Sequence, residues 1–319
     1  MDFHDLLNDP SKHILVIGAG NLDIVSISTQ LIDEQNNNMK SHIRTCFGGV
    51  SRNVAENLAR LGESVNFVTV VGDDDIGHQL LKYTSESGVN IDSCIISEGK
   101  RTGSYIAIYD KNGQLQYSLE DMELFKTLTT NHLRLNQRLF EEAKMVFFDA
   151  NLPVTTIKTI FSLAKKAKIP VCADATSISL AQKLDNYLDK LYLLTANANE
   201  AGVICQKRNS LADPNDSHAS ARFIINSGTK ICVIPMAEFG VSYATSETSG
   251  SIPAMRTKIT DPTGAGDALT ATIIYGIVNN IPLDDSIRLG VTAASLTLRY
   301  TGTVYPGLSV ERLYEDLVI

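Results

Sequence analysis

The five cysteines, Cys46, Cys94, Cys172, Cys205 and Cys232, are odd in number, far apart and never in a CxxC pair. That excludes a disulfide framework and a thiolate zinc site, and it fits a reduced, cytoplasmic protein. Histidine is also sparse. The six, at 4, 13, 42, 78, 132 and 218, are scattered, and none pairs at metal-ligand spacing. Positive charge is not in excess: the formal net charge is −8. This argues against a nucleic-acid or membrane-surface partner, while leaving room for a small basic pocket. No apolar run approaches the roughly 20 residues of a membrane span. Met1-Asp2-Phe3-His4-Asp5 lacks the basic-then-apolar signature of a secretory signal.

What remains is ordinary globular composition, 44% hydrophobic and 20% charged over 319 residues, which excludes disorder and suffices for one large α/β domain or two modest ones. His13–Gly18 is an apolar run ending in glycine and predicts a buried strand. Gly18-Ala19-Gly20-Asn21 lacks the third glycine and the helix of a dinucleotide fingerprint. Asp23 falls just past that strand, where open α/β sheets place ligand-contacting side chains; a turn or capping aspartate fits equally. Residues 24–44, with Asn36-Asn37-Asn38 as a turn, predict a hairpin outside the main layers.

Phe47-Gly48-Gly49-Val50-Ser51-Arg52-Asn53 leads into a helix with apolar Val54, Ala55, Leu58, Ala59 and Leu61, stopped by Gly62. Asn53 either caps this helix or points its amide at whatever lies over the diglycine. Val65–Val71 and Ile91–Ile96 predict strands around a helix at 76–87, and Asp73, Asp74 and Asp75 read as its acidic N-terminus rather than a metal site. Residues 102–120 alternate Tyr105, Ala107, Tyr109 with Leu115, Tyr117, Leu119 about Lys111-Asn112-Gly113, a second hairpin. The two hairpins together predict a small lid.

From residue 123 helices alternate with buried strands at Met145–Phe148, Val171–Ala173, Leu191–Leu194 and Ile231–Pro235, and residues 207–220 read as a polar surface loop. Such alternation implies a largely parallel α/β sheet covered by helices on both faces. The loops following these strands share one edge, so Asp149, Asn151, Asp174, Asn197, Glu200 and the 261–267 turn should converge there. Asp261-Pro262-Thr263-Gly264-Ala265-Gly266-Asp267 enters an apolar helix. A glycine-rich turn at a helix N-terminus presents free N–H groups and a positive dipole end to an anion, usually phosphate. A carboxylate at that mouth suits a base that deprotonates a hydroxyl. An αβ turn with an N-cap aspartate would look the same.

In this order and spacing, the diglycine with Asn53, the Asn197-Ala198-Asn199-Glu200 tetrapeptide and Asp261–Asp267 resemble the ribokinase-like carbohydrate kinases, the PfkB family. The likeness covers about residues 13–310. A narrower resemblance, to pseudouridine kinases within that family, lies in Gly48–Gly62, in Glu120-Asp121-Met122-Glu123 and in Asp149-Ala150-Asn151-Leu152-Pro153.

The resemblance implies a ribokinase-like fold as a single domain over 1–319. Its core would be about 13–23, 45–98 and 122–319, and its β lid about 24–44 and 99–121. It implies transfer of phosphate from ATP, with Mg²⁺ and K⁺, to a nucleoside or sugar hydroxyl. Asp267 would take the hydroxyl proton while amides of Gly264, Ala265 and Gly266 hold the transferring phosphate. Asp23 and Asn53 would bind ribose hydroxyls, with Gly48 and Gly49 letting the sugar lie against the backbone and Asn151 beside it. Tyr105 and Asp121 of the lid would set nucleoside selectivity. Glu200 would order Mg²⁺ through water next to Asn197, and Gly240, Thr263, Gly264 and Gly266 would meet the nucleotide. Asp261 and the backbone of Thr263 match half of a K⁺ site, the other half lying near Leu296, Arg299 and Thr301. Related kinases often pair through the lid, so a homodimer is expected.

One departure stands out. The family's Thr-x-Gly-x-x-Gly phosphate loop is here Pro235-Met236-Ala237-Glu238-Phe239-Gly240. The hydroxyl donor is lost and a glutamate stands near where the ATP phosphates should lie, which leaves open weaker ATP binding, another phosphate donor and a non-catalytic nucleoside or sugar sensor on the same fold. A kinase of another nucleoside or of a free sugar is the separate alternative.

Overall fold

The computed structural model describes residues 7, 9–29, 40–111, 114–206 and 214–317. An eight-stranded sheet organises them. β1 (His13–Ile17) lies between β4 (Val65–Val68) and β9 (Ala143–Asp149), and β10 (Val171–Asp174), β11 (Leu193–Thr195) and β12 (Ile231–Pro235) continue outward from β9, all parallel. β13 (Val241–Thr245) and β14 (Ser249–Ile252) close that side antiparallel. The chain first builds to one side of β1 and then to the other. A crevice therefore opens beyond the carboxyl ends of β1 and β9, where α/β sheets hold ligands.

Both faces of the sheet are dry. Leu15, Ile17, Val146 and Phe148 pack toward helices Val154–Ala167 and Ala198–Ile204. Ile14, Val16, Met145 and Phe147 pack toward helices Val50–Arg60, Ala265–Val278 and Leu283–Leu298. Alternate residues of one strand feed opposite layers, which is why these runs carry no polar positions.

The lid is a separate four-stranded sheet of β2 (Asn21–Ser28), β3 (Ser41–Gly48), β7 (Ser104–Tyr109) and β8 (Leu115–Asp121), ordered β3-β2-β7-β8. Each hairpin is antiparallel, and the two join through a parallel β2–β7 pairing. Its first hairpin starts earlier and ends later than 24–44, so Asp23 stands inside a lid strand rather than in a loop past β1. The Asn36-Asn37-Asn38 turn and the Asn112-Gly113 step lie outside the described residues.

Three further expectations are corrected. The 65–71 strand is two: β4 stays in the main sheet, and β5 (Val70–Gly72) pairs with β6 (Ile95–Ser97) in a small sheet of its own. An unbroken apolar run carries no mark of such a break. The strand expected from Ile91 begins only at Ile95. The polar stretch 207–220 becomes a helix from Pro214 to Asn226, with 207–213 outside the described residues. The acidic run at 73–75 is the helix start it was read as: Asp74 accepts from Gly77 N at 2.8 Å as the N-cap of Asp75–Glu86.

Candidate active site

The 261–267 turn ends in Gly264, whose φ of 81° lies in the left-handed region. A Cβ there would collide with the carbonyl oxygen of Thr303, so only glycine lets the turn sit against the Gly302–Thr303 loop. An added Cβ on Gly266 meets nothing within 4 Å. The helix Ala265–Val278 has this exposed glycine in its first turn, and a helix's first-turn amides have no intrahelical partner, the arrangement that binds anions.

Asp267 stands in the first turn of that helix, half-buried. Its Oδ2 accepts from Asn53 Nδ2 at 2.6 Å. Asn53 does not cap its own helix, whose N-cap is Gly49. The oxygen of its amide accepts from Arg52 Nη2 at 2.5 Å, and this fixes the amide's orientation. Arg52 is itself fully buried, donating to Glu56 Oε2 at 2.6 Å and to Thr303 Oγ1 at 2.9 Å. Burial pushes the Asp267 carboxyl up to about 7; the Asn53 hydrogen bond opposes this, Asp23 adds to it and Arg52 opposes it. A carboxylate so poised accepts a proton near neutrality.

Asp23 faces this pair from the lid. Strand register puts Asp23 opposite Tyr105 and Val25 opposite Ala107, so these side chains share one face with Tyr109. Together with Pro262 and Thr263 they line a cavity of about 200 Å³. Asp23 accepts from Asn21 Nδ2 at 2.6 Å and is pushed up to about 6, chiefly by burial. The diglycine serves this geometry. A Cβ on Gly48 would strike the Asp23 carboxylate, and one on Gly49, at φ 97°, would strike the Ala19 carbonyl. Both glycines thus have an internal reason, apart from any sugar.

The acids at the strand ends converge. Asp149 Oδ2 accepts from Ala19 N at 2.7 Å and Ser51 N at 3.2 Å, while its Oδ1 accepts from Asn151 N at 2.9 Å. It stitches β1, the diglycine helix and its own loop together beneath the crevice. Asn151 lies on that loop, half-buried. Asp174 is held well above the usual carboxylate range by burial, then by the negative charges of Glu200 and Asp267. Glu200, raised by its own burial, forms a capping box with Asn197: its Oε2 accepts from Asn197 N at 2.8 Å and its Oε1 from Asn197 Nδ2 at 2.6 Å. Asn197 is therefore committed to Glu200 and to the helix start.

On the far side of the turn, Ala237–Phe239 makes a 3₁₀ turn, with Ala237 at φ 50° and Gly240 at φ 93°. A Cβ on Gly240 would collide with Ile252 O, so this loop packs on the chain leaving β14. That chain and helix Leu283–Leu298 bound a cleft of about 360 Å³ lined by Ile252, Met255, Arg256, Arg288 and Val291 among others. Sequence reasoning did not find these residues. They carry no motif, and only the approach of β14 to the helix brings them together.

Two expected site residues are placed otherwise. Asp121 pairs with Ser104 on the outer face of the lid and is exposed; the residue opposite Tyr105 is Glu120. Asp261 is 2% exposed and already surrounded. Its Oδ1 accepts from Thr263 N at 3.0 Å and Thr263 Oγ1 at 2.8 Å; its Oδ2 accepts from Gly302 N at 3.0 Å and is ion-paired with Arg44. A carboxylate offers about four acceptor positions, and the protein fills them. The Asp261 carboxylate, expected as one ligand of K⁺, therefore has no acceptor position left for a metal ion.

Comparison with known proteins bears on this assembly. Residues 11–309 match the family described as pfkB family carbohydrate kinase. The pseudouridine kinase of Escherichia coli (strain K12) is 29% identical over 300 residues, spanning 93% of this chain and 94% of that protein. The guanosine-inosine kinase of Exiguobacterium acetylicum is 27% identical, spanning 90% and 95%. The structure of Arabidopsis thaliana ribokinase complexed with ribose and ATP superposes with a TM-score of 0.83 over 97% of this chain and 99% of that one, at 19% identity, which establishes the shared fold.

Proposed function

The chain belongs to the pfkB family of carbohydrate kinases, and on that footing we propose that it transfers the terminal phosphate of ATP to the 5′-hydroxyl of pseudouridine. The observation that carries this is the pairing of Asp267 with Asn53 in the first turn of a helix, within electrostatic reach of the buried carboxyl of Asp23, which lines the cavity under the lid with Pro262 and Thr263. A base raised to about 7, an anion site and a hydroxyl-binding acid are the parts phosphoryl transfer to an alcohol requires.

In this mechanism Asp23 and Asn53 hold the ribose under the lid, with Tyr105 and Tyr109 against the nucleoside. Asp267 accepts the proton of the 5′-hydroxyl as its oxygen bonds to the γ-phosphorus. The bond from that phosphorus to the β–γ bridging oxygen breaks, and ADP leaves. Amides of Gly264, Ala265 and Gly266 stabilise the charge on the transferring group. The cleft beside Gly240 takes the adenine, and Arg256 and Arg288 at its rim favour an anionic nucleotide.

Asp174 and Glu200 fit a magnesium ion, because their mutual repulsion in a buried setting is relieved by a cation. Among the described residues no three acids, histidines or cysteines group as a metal cage. Such an ion would be held mainly by phosphates and water, and it would neutralise charge on the nucleotide. No step of this mechanism is assigned to K⁺, and the Asp261 carboxylate is already filled by Thr263, Gly302 and Arg44.

Support for pseudouridine is the similarity to the Escherichia coli enzyme; the similarity to guanosine-inosine kinase supports a purine nucleoside as the second reading. An ADP-release assay over pseudouridine, uridine, inosine, guanosine, ribose and fructose separates them. Turnover highest on pseudouridine upholds the proposal. Turnover on inosine or ribose with none on pseudouridine overturns the substrate. Nucleoside-dependent thermal stabilisation with no turnover on any would make this a sensor.

A further inference from the structure

We propose that Arg44 takes the place of a monovalent cation at the phosphate-binding turn, so that docking of a lid strand, rather than an ion from solution, organises residues 261–267. Its link to catalysis rests on the kinase reading above; its link to cation binding does not.

Arg44 belongs to β3 and stands opposite Val25, on the lid face that carries Asp23. From there its guanidinium crosses to Asp261, which precedes two lining residues of the same cavity, Pro262 and Thr263. The pair is largely shielded, Arg44 at 22% and Asp261 at 2% exposed. A guanidinium stays charged at any accessible pH and is weakly hydrated, so it enters such a site at less cost than an ammonium. For a metal ion to reach Asp261, the guanidinium would have to leave, losing its counter-charge, and the ion would have to shed water.

Asp261 transmits the lid's position to the turn. Its two oxygens hold Thr263 on one side and Gly302 on the other, and the next residue, Thr303, packs on Gly264. Thr303 Oγ1 also donates to Phe47 O at 2.7 Å, a second tie to β3 three residues from Arg44. Strand β3, the Gly302–Thr303 loop and the anion turn thus form one hydrogen-bonded body. Without the positive charge, Asp261 would be a buried carboxylate short of a partner, and the turn would lose its brace.

The test uses the full chain exchanged into choline chloride, with KCl or NaCl substituted at constant ionic strength. Thermal unfolding reads cation binding without turnover, and the rate on the best substrate reads its consequence. The expected wild-type result is no K⁺-specific change in either. Arg44→Ala and Arg44→Met should lose up to about 100-fold in rate through misplacement of the turn. They should also gain K⁺-dependent stabilisation, with K⁺ or guanidinium restoring part of the rate. A rate or melting temperature that rises several-fold or by several degrees with K⁺ in the wild type overturns the proposal, as does an Arg44→Ala enzyme of wild-type rate. Should Arg44→Ala not fold, Arg44→Lys and the wild-type salt comparison decide alone. If no substrate turns over, the kinase reading fails and the unfolding arm still decides this one.

Discussion

Asn53 donates through Nδ2 to Oδ2 of Asp267 over 2.6 Å, two residues 214 positions apart in the chain. Arg52 fixes the amide's other end, so Asn53 can present only its N–H₂ to the carboxylate. Replacing the base while keeping its shape should therefore leave the assembly standing. Asp267→Asn is expected to lower kcat by about 10²–10⁴-fold with little change in nucleoside affinity. Single-turnover rates and equilibrium binding check this, and retention of more than a few per cent of activity would remove Asp267 from the base role.

The rate should rise with pH through an apparent pKa near 7, because Asp267 must be ionised to accept the proton. Stability should run the other way. Between the ordinary carboxyl value of 3.8 and about 7 the folded protein binds more protons at this residue than the unfolded chain does. The contribution from protonated Asp267 is full below 3.8 and is lost as pH climbs to about 7. Asp267→Asn should accordingly raise the melting temperature at pH 8 and leave it nearly unchanged at pH 4. A variant no more stable at pH 8 than the parent would contradict a raised carboxyl at Asp267.

Gly48→Ala tests the hydroxyl-binding side. The new methyl must displace the Asp23 carboxylate, a strain of about 1–3 kcal/mol where packing cannot relax. Nucleoside KM should rise by about tenfold or more while the KM for ATP holds, since a 1.4 kcal/mol misfit is about tenfold in affinity. Equal changes in both would place Asp23 outside nucleoside binding.

The outer face of the lid predicts self-association. Ile43, Tyr117 and Leu119 are 69%, 53% and 60% exposed, and register sets all three on the face away from Asp23. Apolar side chains in such a cluster suit a like surface across a two-fold axis. Light scattering after size exclusion should give a dimer, and Ile43→Asp with Leu119→Asp a monomer of unchanged secondary structure. A monomeric wild type at working concentration would refute the pairing.

Much of the fold was legible because its signals are local. Buried parallel strands announce themselves as apolar runs, and the glycine turn before an apolar helix marks its own anion site. The sheet edge shared by Asp149, Asp174, Glu200 and Asp267 followed from strand alternation, and their electrostatic coupling agrees with it. The break at Thr69 left no trace in a run that suits one strand or two. Nor did the 214–226 helix, whose polar residues read as a loop.

The sequence by itself determined the parallel sheet, the lid hairpins and the glycine turn carrying Asp267, since each follows from periodicity and backbone freedom within a few residues. Tertiary structure alone decided the partners. The resemblance named Tyr105 and Asp121 together as lid residues, but strand register sent one inward and the other outward, because a single step along a strand reverses the face. The family resemblance made Asp261 a candidate ligand for a cation, yet only the approach of β3 could show that Arg44 already pairs with it. Which carboxylate is free and which is taken depends on contacts between residues about 200 positions apart, and no local pattern records them.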